Sequence, residues 1–497
     1  MNPRNEERPV DSGRAPASSS RLSIGFPIIA LGSLVLLLAV FLVFAEKIKP
    51  SRKPINVLLI VADTLRTDHL GCYGFSQPLS PNIDLLAAQG MRLRDYNTVV
   101  PSTLASFTAL LTSHHTKDHG ASRNGFNAPD DLPTLGEAFG DNGYETAAFI
   151  ASYCLRSEFG ISRGFEHFDE QFTQSTILHD NKLIRPATDV TDAFLRWLNG
   201  REDERPYFAM VHYFDPHFPY RPPKNFVDEI RRGQPGSAKA SMKDINKAAR
   251  ALKESGGLPD DYAMELHALY CAEIRYMDDE IGRIVGRIID RLEGERETLV
   301  VFTADHGETF WEHDEYFSHG KCVYDTGISL PLIFHWPGSI EAGTVRTAPL
   351  SNIDLAPTLL SLASLGYPKE FKGFDFSGMI TGEGGAPSSD RMRFAEATKP
   401  YKAEEGAERP NLNKSKSVRR GPWKYILTPH LDNQGELFNI EEDPQERKNL
   451  TGVSELATIA AALRQELERW ALIYRAGSDQ NYTIDPEAQR SLEGLGY

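Results

Sequence analysis

The chain has 497 residues, which is long enough to bury more than one hydrophobic core. Apolar residues make up 40% and aromatic residues 10% of it, which excludes a wholly disordered chain. The formal net charge of -15 makes nucleic acid an unfavourable partner, because it would repel a phosphate backbone. The cysteines lie far apart with no C-x-x-C pair, so neither a zinc knuckle nor a disulfide framework is predicted.

The N-terminus predicts a membrane location. Residues 1–21 are polar and rich in Pro, Ser and Arg, which predicts a disordered tail. Residues 22–46 contain an uncharged apolar run from Ile24 to Ala45, which as a helix spans about 33 Å and matches a bilayer core. We therefore expect a single-pass anchor with the catalytic part outside the cytoplasm, although basic residues flank the run equally and do not orient it. The alternative is a signal peptide cleaved after Val43–Ala45.

Apolar runs of strand length alternate with helix-like segments from residue 55 onward. Three runs precede acidic or histidine residues: Asn56–Ala62 precedes Asp63, Tyr207–Tyr213 precedes Asp215 and His217, and Thr298–Thr303 precedes Asp305 and His306. Further strands are predicted at Thr146–Ala151 and Leu330–His335, and helices at Asn82–Gln89, Leu132–Asn142 and Met264–Leu292. The alternation predicts an α/β fold, in which side chains at the carboxyl ends of parallel strands meet in one crevice.

Thr103 begins a segment with helical spacing, TLASFTALLTS. A hydroxyl at a helix N-terminus could act as a nucleophile, because the backbone amides there attract an anionic ester. Taken alone, the residue is more often a helix cap.

The donor types around Thr103 indicate a metal site. The Asp63 and Asp305 carboxylates, the His306 imidazole and the Thr103 oxygen suit zinc or manganese better than calcium, because a nitrogen donor disfavours the hardest cations.

Three other residues leave two roles open. Asp215, His217 and His319 could form a second metal site, or the two histidines could bind the substrate oxyanion. Lys321 and Asn124 are further candidate anion contacts, as is Arg123, although exposed basic residues are usually only solvated. His212, inside its strand, is expected to be a core histidine.

Several motifs resemble the sulfatase branch of the alkaline phosphatase superfamily. They are ADTLRTDHLGCYG at Ala62–Gly74, TLASFTALLTSHHTKDHG at Thr103–Gly120, FTADHGE at Phe302–Glu308, FDPHFPY at Phe214–Tyr220, SHGKCVYD at Ser318–Asp325 and GELFNIEEDPQERKNL at Gly435–Leu450. The resemblance implies a catalytic domain at residues 55–385, with a mostly parallel central sheet flanked by helices, and a smaller C-terminal α+β subdomain at 386–497. It also implies hydrolysis or transfer of phosphate or sulfate esters.

The sequence departs from that family at the nucleophile. The C-x-P-S-R motif of the family is matched by Thr103-Leu104-Ala105-Ser106-Phe107, so the cysteine that matures to formylglycine is a threonine and no formylglycine is expected. Threonine with Asp-His in place of Asp-Asn resembles the phosphatase and membrane phosphotransferase branches, whose threonine attacks directly.

Two classes of function follow from these observations. The first is a membrane-anchored, metal-dependent hydrolase or transferase that attacks an anionic ester, from a lipid headgroup or a glycan, through Thr103. The second is a catalytically inactive scaffold that binds a glycan or a protein partner.

Overall fold

The computed structural model describes residues 53–172, 177–178, 182–202, 204–232, 236, 241–290, 296–404, 407 and 410–473. The predicted tail and the predicted anchor at residues 22–46 lie outside this part of the chain. Among the described residues, none of the helices combines the length and the apolar character needed to cross a bilayer.

The strands form one large sheet, one small sheet and a two-stranded ribbon. In chain order they are β1 Asn56–Ala62, β2 Met91–Asn97, β3 Glu145–Phe149, β4 His167–Asp169, β5 Ile177–Leu178, β6 Lys182–Leu183, β7 Tyr207–Tyr213, β8 Thr298–Ala304, β9 Leu332–His335, β10 Thr344–Ser351, β11 Arg393–Glu396, β12 Lys416–Arg420, β13 Trp423–Thr428 and β14 Gln434–Asn439. The large sheet has eight strands in the order β10-β2-β9-β8-β1-β7-β3-β4. Only β9 pairs antiparallel to its neighbours, so the sheet is mostly parallel, as predicted.

The helices surround this sheet in sequence. They are α1 Pro81–Gln89, α2 Thr103–Thr112, α3 Thr116–His119, α4 Leu135–Asp141, α5 Ala187–Gly200, α6 Lys224–Arg231, α7 Met242–Glu254, α8 Asp261–Asp290, α9 Asp325–Ile328, α10 Leu355–Leu362, α11 Ser377–Thr381 and α12 Ala457–Leu472. The helices predicted at Asn82–Gln89, Leu132–Asn142 and Met264–Leu292 are confirmed as α1, α4 and α8, with ends that differ by a few residues.

The central strands explain why acidic residues gather at one edge. Every residue of β1, β7 and β8 is buried, because these strands carry uninterrupted apolar runs and lie in the middle of the sheet. The strand β1 lies between β8 and β7 and is parallel to both. The residues that follow β1 and β8 therefore leave the sheet side by side.

The C-terminal part contains the small sheet, which is antiparallel with the order β11-β12-β13-β14. The helix α12 contacts β12 and β13 through Leu463 and Leu467, which are buried with Val418 and Leu437. The predicted antiparallel sheet and terminal helix are thus present. The domain boundary between residues 385 and 386 stays a prediction.

Candidate active site

The site is built where β1 and β8 end. The Asp63 amide donates to the Tyr213 carbonyl (3.0 Å) and the Asp305 amide donates to the Ala62 carbonyl (3.1 Å), so the ladder continues into both aspartates. Ligand atoms of Asp63, Asp305 and His306 all lie within 4.8 Å of one another. Residues more than 240 positions apart in sequence thus reach one point because their strands are neighbours.

The His306 ring directs an unprotonated nitrogen at the two carboxylates. Its Nδ1 lies 2.9 Å from the Gly307 carbonyl, which can only accept, so the neutral ring carries its proton there. Its Nε2 lies 3.7 Å from Asp63 Oδ1 and 3.5 Å from Asp305 Oδ2. A nitrogen lone pair facing two carboxylates is unfavourable unless a cation lies between them.

The carboxylates are poorly satisfied without such a cation. Asp305 Oδ1 accepts from the Thr64 amide (3.1 Å) and the His306 amide (2.6 Å), which fixes the orientation of this carboxyl group. Its Oδ2 and both oxygens of Asp63 are buried and lack a hydrogen bond of ordinary geometry to any described residue. Buried acceptors of this kind are expensive to leave unpaired. The donor set therefore fits a small divalent ion.

The pKa values of these groups report the same electrostatic tension. Burial raises the pKa of Asp305 to about 8. Burial, reinforced by the charges of Asp305 and Glu308, raises the pKa of Asp63 well above its ordinary value. Burial also keeps His306 neutral, because it lowers the pKa of the imidazole well below its ordinary value. A bound cation would reverse the first two shifts, since it favours ionised carboxylates.

Thr103 is the first residue of α2, and its side chain is fully buried. Its Oγ1 lies 3.4 Å from His306 Nε2. The N-cap residue Ser102 makes no side-chain capping bond, and the Leu104 amide instead donates to Asn124 Oδ1 (2.8 Å). The structure thus brings the hydroxyl next to the carboxylate and imidazole donors.

Asn124 lies at the same helix N-terminus, whereas Lys321 is held further out. The buried Asn124 Nδ2 has no acceptor among the described residues and is available to an oxyanion. The Lys321 side chain is 45% exposed, and its Nζ pairs with Glu315 Oε2 at 2.9 Å. Arg123 is likewise paired, with Glu404 at 2.6 Å.

The possible second metal site is not assembled from the three predicted residues. The His217 and His319 rings are close, with centroids 5.1 Å apart, and His319 also packs on the His306 ring at 4.6 Å. Asp215 instead shares a side-chain hydrogen bond with Glu273 of α8. Among the described residues the three do not form a cluster of three donors around one point. The correction has a physical reason, because the nearby buried carboxyl group of Glu273 shares a proton with Asp215.

Two residues near the site were missed by the sequence analysis. His212, expected to be a core histidine, is indeed buried, but its Nε2 faces Asp63 Oδ2 at 3.6 Å. Its place one residue before the end of β7 was a signal that could have shown this. Lys399 follows β11, and its charge acts on His306 and His319. No local pattern marks that lysine, because it reaches the site from a distant segment.

The chain was compared with known proteins. The family model described as sulfatase matches residues 55–365. The chain belongs to the sulfatase family. A second model, the C-terminal part of N-sulphoglucosamine sulphohydrolase, matches residues 312–472. The protein is thus an ester hydrolase of the alkaline phosphatase superfamily.

Individual relatives cover nearly the whole chain. An N-acetylglucosamine-6-O-sulfatase of Bacteroides thetaiotaomicron is 25% identical over 89% of this chain and 91% of its own length. A Δ4,5-hexuronate-2-O-sulfatase of the same organism is 26% identical over 89% of this chain and 94% of its own. The solved structure of a phosphonate monoester hydrolase from Silicibacter pomeroyi, 22% identical, has a TM-score of 0.65 and covers 87% of this chain and 98% of that one. This last likeness supports the fold.

Proposed function

We propose that this sulfatase-family protein is a membrane-anchored, metal-dependent hydrolase or transferase that attacks a phosphate or sulfate ester through Thr103. The observation that carries the proposal is the 3.4 Å separation between Thr103 Oγ1 and His306 Nε2, beside two buried carboxylates. A buried threonine next to unsatisfied donors at a helix N-terminus is suited to attack on an anion.

The chemical step follows from the positions of these groups. A divalent cation held by Asp63, Asp305 and His306 supplies charge that favours the ionised hydroxyl and neutralises the ester. Thr103 loses its hydroxyl proton to solvent, and its Oγ1 forms a bond to phosphorus or sulfur. The ester bond to the leaving alcohol breaks, and that alcohol takes up a proton. Water or an acceptor hydroxyl then attacks the Thr103 ester, breaks the Oγ1 bond and restores the threonine.

Other residues of the chain hold the substrate. The Asn124 amide, the amide-rich N-terminus of α2 and the His319 and His217 rings surround the place of attack. Lys399 adds positive charge at this place. We assign these residues to the non-bridging oxygens of the ester, because amide and ammonium groups donate to oxyanions.

The nucleophile works without formylglycine in this proposal. Oxidation of a threonine side chain would give a ketone and not the aldehyde of a formylglycine. The position of the arginine in the family motif is held by Phe107, whose ring packs edge-on against His212 at 5.1 Å. An apolar contact there supports a direct threonine nucleophile.

The substrate we propose is an ester on a carbohydrate. The relatives named for N-acetylglucosamine-6-O-sulfate and hexuronate-2-O-sulfate chemistry support this class. If residues 22–46 anchor the chain, lipid headgroups become available as a second source of the same anionic ester.

The test uses the purified full chain with added manganese or zinc. Turnover of aryl phosphate, aryl phosphodiester and aryl sulfate is measured, and stopped reactions are digested for mass spectrometry. We expect a phosphorylated or sulfated peptide that contains Thr103. Thr103→Ala should lower kcat at least 100-fold while metal content is retained through the other donors.

The matched control is Thr108→Ala, one turn further along α2. Its buried Oγ1 donates only to the Leu104 carbonyl, so turnover should stay within about twofold, since a helix back-bond contributes little to the active site. Undiminished activity of Thr103→Ala would remove this residue from the mechanism. A folded wild-type chain that binds no metal and turns over none of the substrates would favour the inactive scaffold.

A further inference from the structure

A second cluster of metal-binding side chains shares no residue with the candidate active site. It consists of His69, which ends the turn Thr67–His69 after β1, and of His267 and Cys271 on α8. One ligand atom from each of the three lies within 4.8 Å of the other two. His267 and Cys271 are four residues apart on one helix, so they lie on the same face. We propose that His69, His267 and Cys271 bind a zinc ion that joins the segment after β1 to α8.

The two imidazoles already present nitrogen atoms to each other. His69 Nε2 and His267 Nε2 are 2.8 Å apart, so without an ion they share one proton. The Cys271 Sγ lies 3.9 Å from His267 Nδ1 and 4.0 Å from its Nε2. On a tetrahedral zinc, bond lengths of ~2.0–2.1 Å to nitrogen and ~2.3 Å to sulfur place two nitrogens about 3.3 Å apart and nitrogen and sulfur about 3.6 Å apart. Each separation must therefore change by about half an ångström, which side-chain rotation can supply.

The carboxylate of Asp68 orients the first imidazole. His69 Nδ1 lies 2.7 Å from Asp68 Oδ1, so the ring proton is held at Nδ1 and the Nε2 lone pair points at the cluster. Arg66 in turn holds Asp68 with contacts of 2.9 and 2.7 Å. A carboxylate behind a histidine is the usual support for a metal-binding imidazole. This arrangement is more than a chance pair of rings needs.

The surroundings suit an ion with soft donors. The His69 ring stacks on Phe75 at 4.8 Å, and the His267 ring packs against Phe310 and Trp311 at 5.0 and 5.3 Å. Aromatic walls exclude most water and strengthen the attraction between a cation and a thiolate. His69 and His267 also line a cavity of about 1420 Å³, which gives the ion a path of entry and a water as fourth ligand. Two nitrogens and one sulfur select zinc over magnesium or calcium.

Binding requires one proton to leave. The Cys271 thiol releases its proton to solvent and binds as thiolate, while the shared proton of the histidine pair moves to His267 Nδ1. Burial raises the pKa of the free thiol to about 12, so only a bound cation would ionise it near neutral pH.

Sulfur ligation makes this site distinguishable from the active site, whose donors are oxygen and nitrogen. The experiment loads the purified full chain with Co²⁺ and records the near-ultraviolet thiolate-to-cobalt absorption band, and it counts bound zinc by mass spectrometry of the metal. We expect the band in the wild type and in Asp63→Asn, which weakens the other site. Cys271→Ser and His267→Gln should lose the band and one equivalent of zinc, and Asp68→Asn should weaken zinc binding about 10- to 100-fold.

The matched control is Cys154→Ser, because Cys154 is equally buried and its thiol is electrostatically close to Asp63. This variant should keep the band. A band that disappears with Cys154→Ser and persists in Cys271→Ser would assign the sulfur to the active site and overturn the proposal. Absence of the band in a folded wild type would also overturn it and would leave the two histidines as a hydrogen-bonded pair. None of these results depends on turnover, so they are separate from the test of Thr103.

Discussion

Asn124 combines two roles that substitutions can separate. Its Oδ1 accepts from the Leu104 amide at 2.8 Å and from Ser102 Oγ at 3.3 Å, so it caps α2, while its buried Nδ2 is directed to no described acceptor. Asn124→Ala removes both roles. We expect the free energy of unfolding to fall by about 1 kcal/mol, the usual contribution of a helix cap.

The loss of the amide donor should be measured in turnover. A hydrogen bond to a charged group contributes about 1.5–3 kcal/mol, which corresponds to a fall of about 10- to 150-fold in kcat/KM. Asn124→Asp keeps the acceptor for the helix and replaces the donor by a carboxylate oxygen. Its stability should therefore stay within about 0.5 kcal/mol of the wild type. Its kcat/KM should fall at least as far as that of Asn124→Ala, because the new charge repels an anionic ester.

The assays are urea unfolding followed by circular dichroism and steady-state turnover of the best aryl ester. A control is Asn142→Ala, since Asn142 also bonds the end of a helix, through its Nδ2 and the Ala138 carbonyl, at the exposed end of α4. This variant should leave kcat/KM unchanged. Full turnover by Asn124→Asp would refute the assignment of Nδ2 to the substrate, and unchanged stability of Asn124→Ala would refute the cap.

Three further predictions concern metal and charge. Dialysis against EDTA should abolish turnover, and manganese or zinc should restore it; full activity of metal-free protein would contradict the site. Lys424→Met should lower the free energy of unfolding by about 3–5 kcal/mol, because it leaves the buried carboxylates of Asp325 and Glu446, now 2.6 and 2.7 Å from Nζ, without a counter-charge; urea unfolding checks this against the exposed control Lys448→Ala, and a loss below about 1 kcal/mol would contradict it. Burial would raise the pKa of Asp325, but Lys424 outweighs it and lowers that pKa, so this stabilisation is present above pH 3.8 and is lost as the pH falls further; an acid titration of stability should show a shallower loss in Lys424→Met, and identical profiles would count against the coupling.

The strands that carry the site were predictable because their signal is local. An uninterrupted apolar run such as Asn56–Ala62 indicates a strand buried on both faces, and the structure has β1 with the same ends. The segment beginning at Thr103 is likewise a helix that starts at that residue. Such patterns depend on a few neighbouring side chains, so they survive in any fold that buries them.

Contacts between distant segments were harder to predict. Asp215 follows its strand as Asp63 and Asp305 do, yet Glu273 of α8 takes its carboxyl group away from the histidines. His212 was assigned to the core from its place inside a strand, but the pleat turns its ring toward Asp63. In both cases the outcome depends on which element packs alongside, and no local pattern encodes that.

The amino-acid sequence by itself determined the α/β alternation, the donor types after the strands and the hydroxyl at the start of α2. Each of these follows from side-chain periodicity or from the chemistry of one residue. The tertiary structure alone decided that Asp63, Asp305 and His306 come within 4.8 Å of one another, and that His69 meets His267 and Cys271. Those distances arise from the order of strands in the sheet and from the packing of α8, in which residues some 200 positions apart become neighbours.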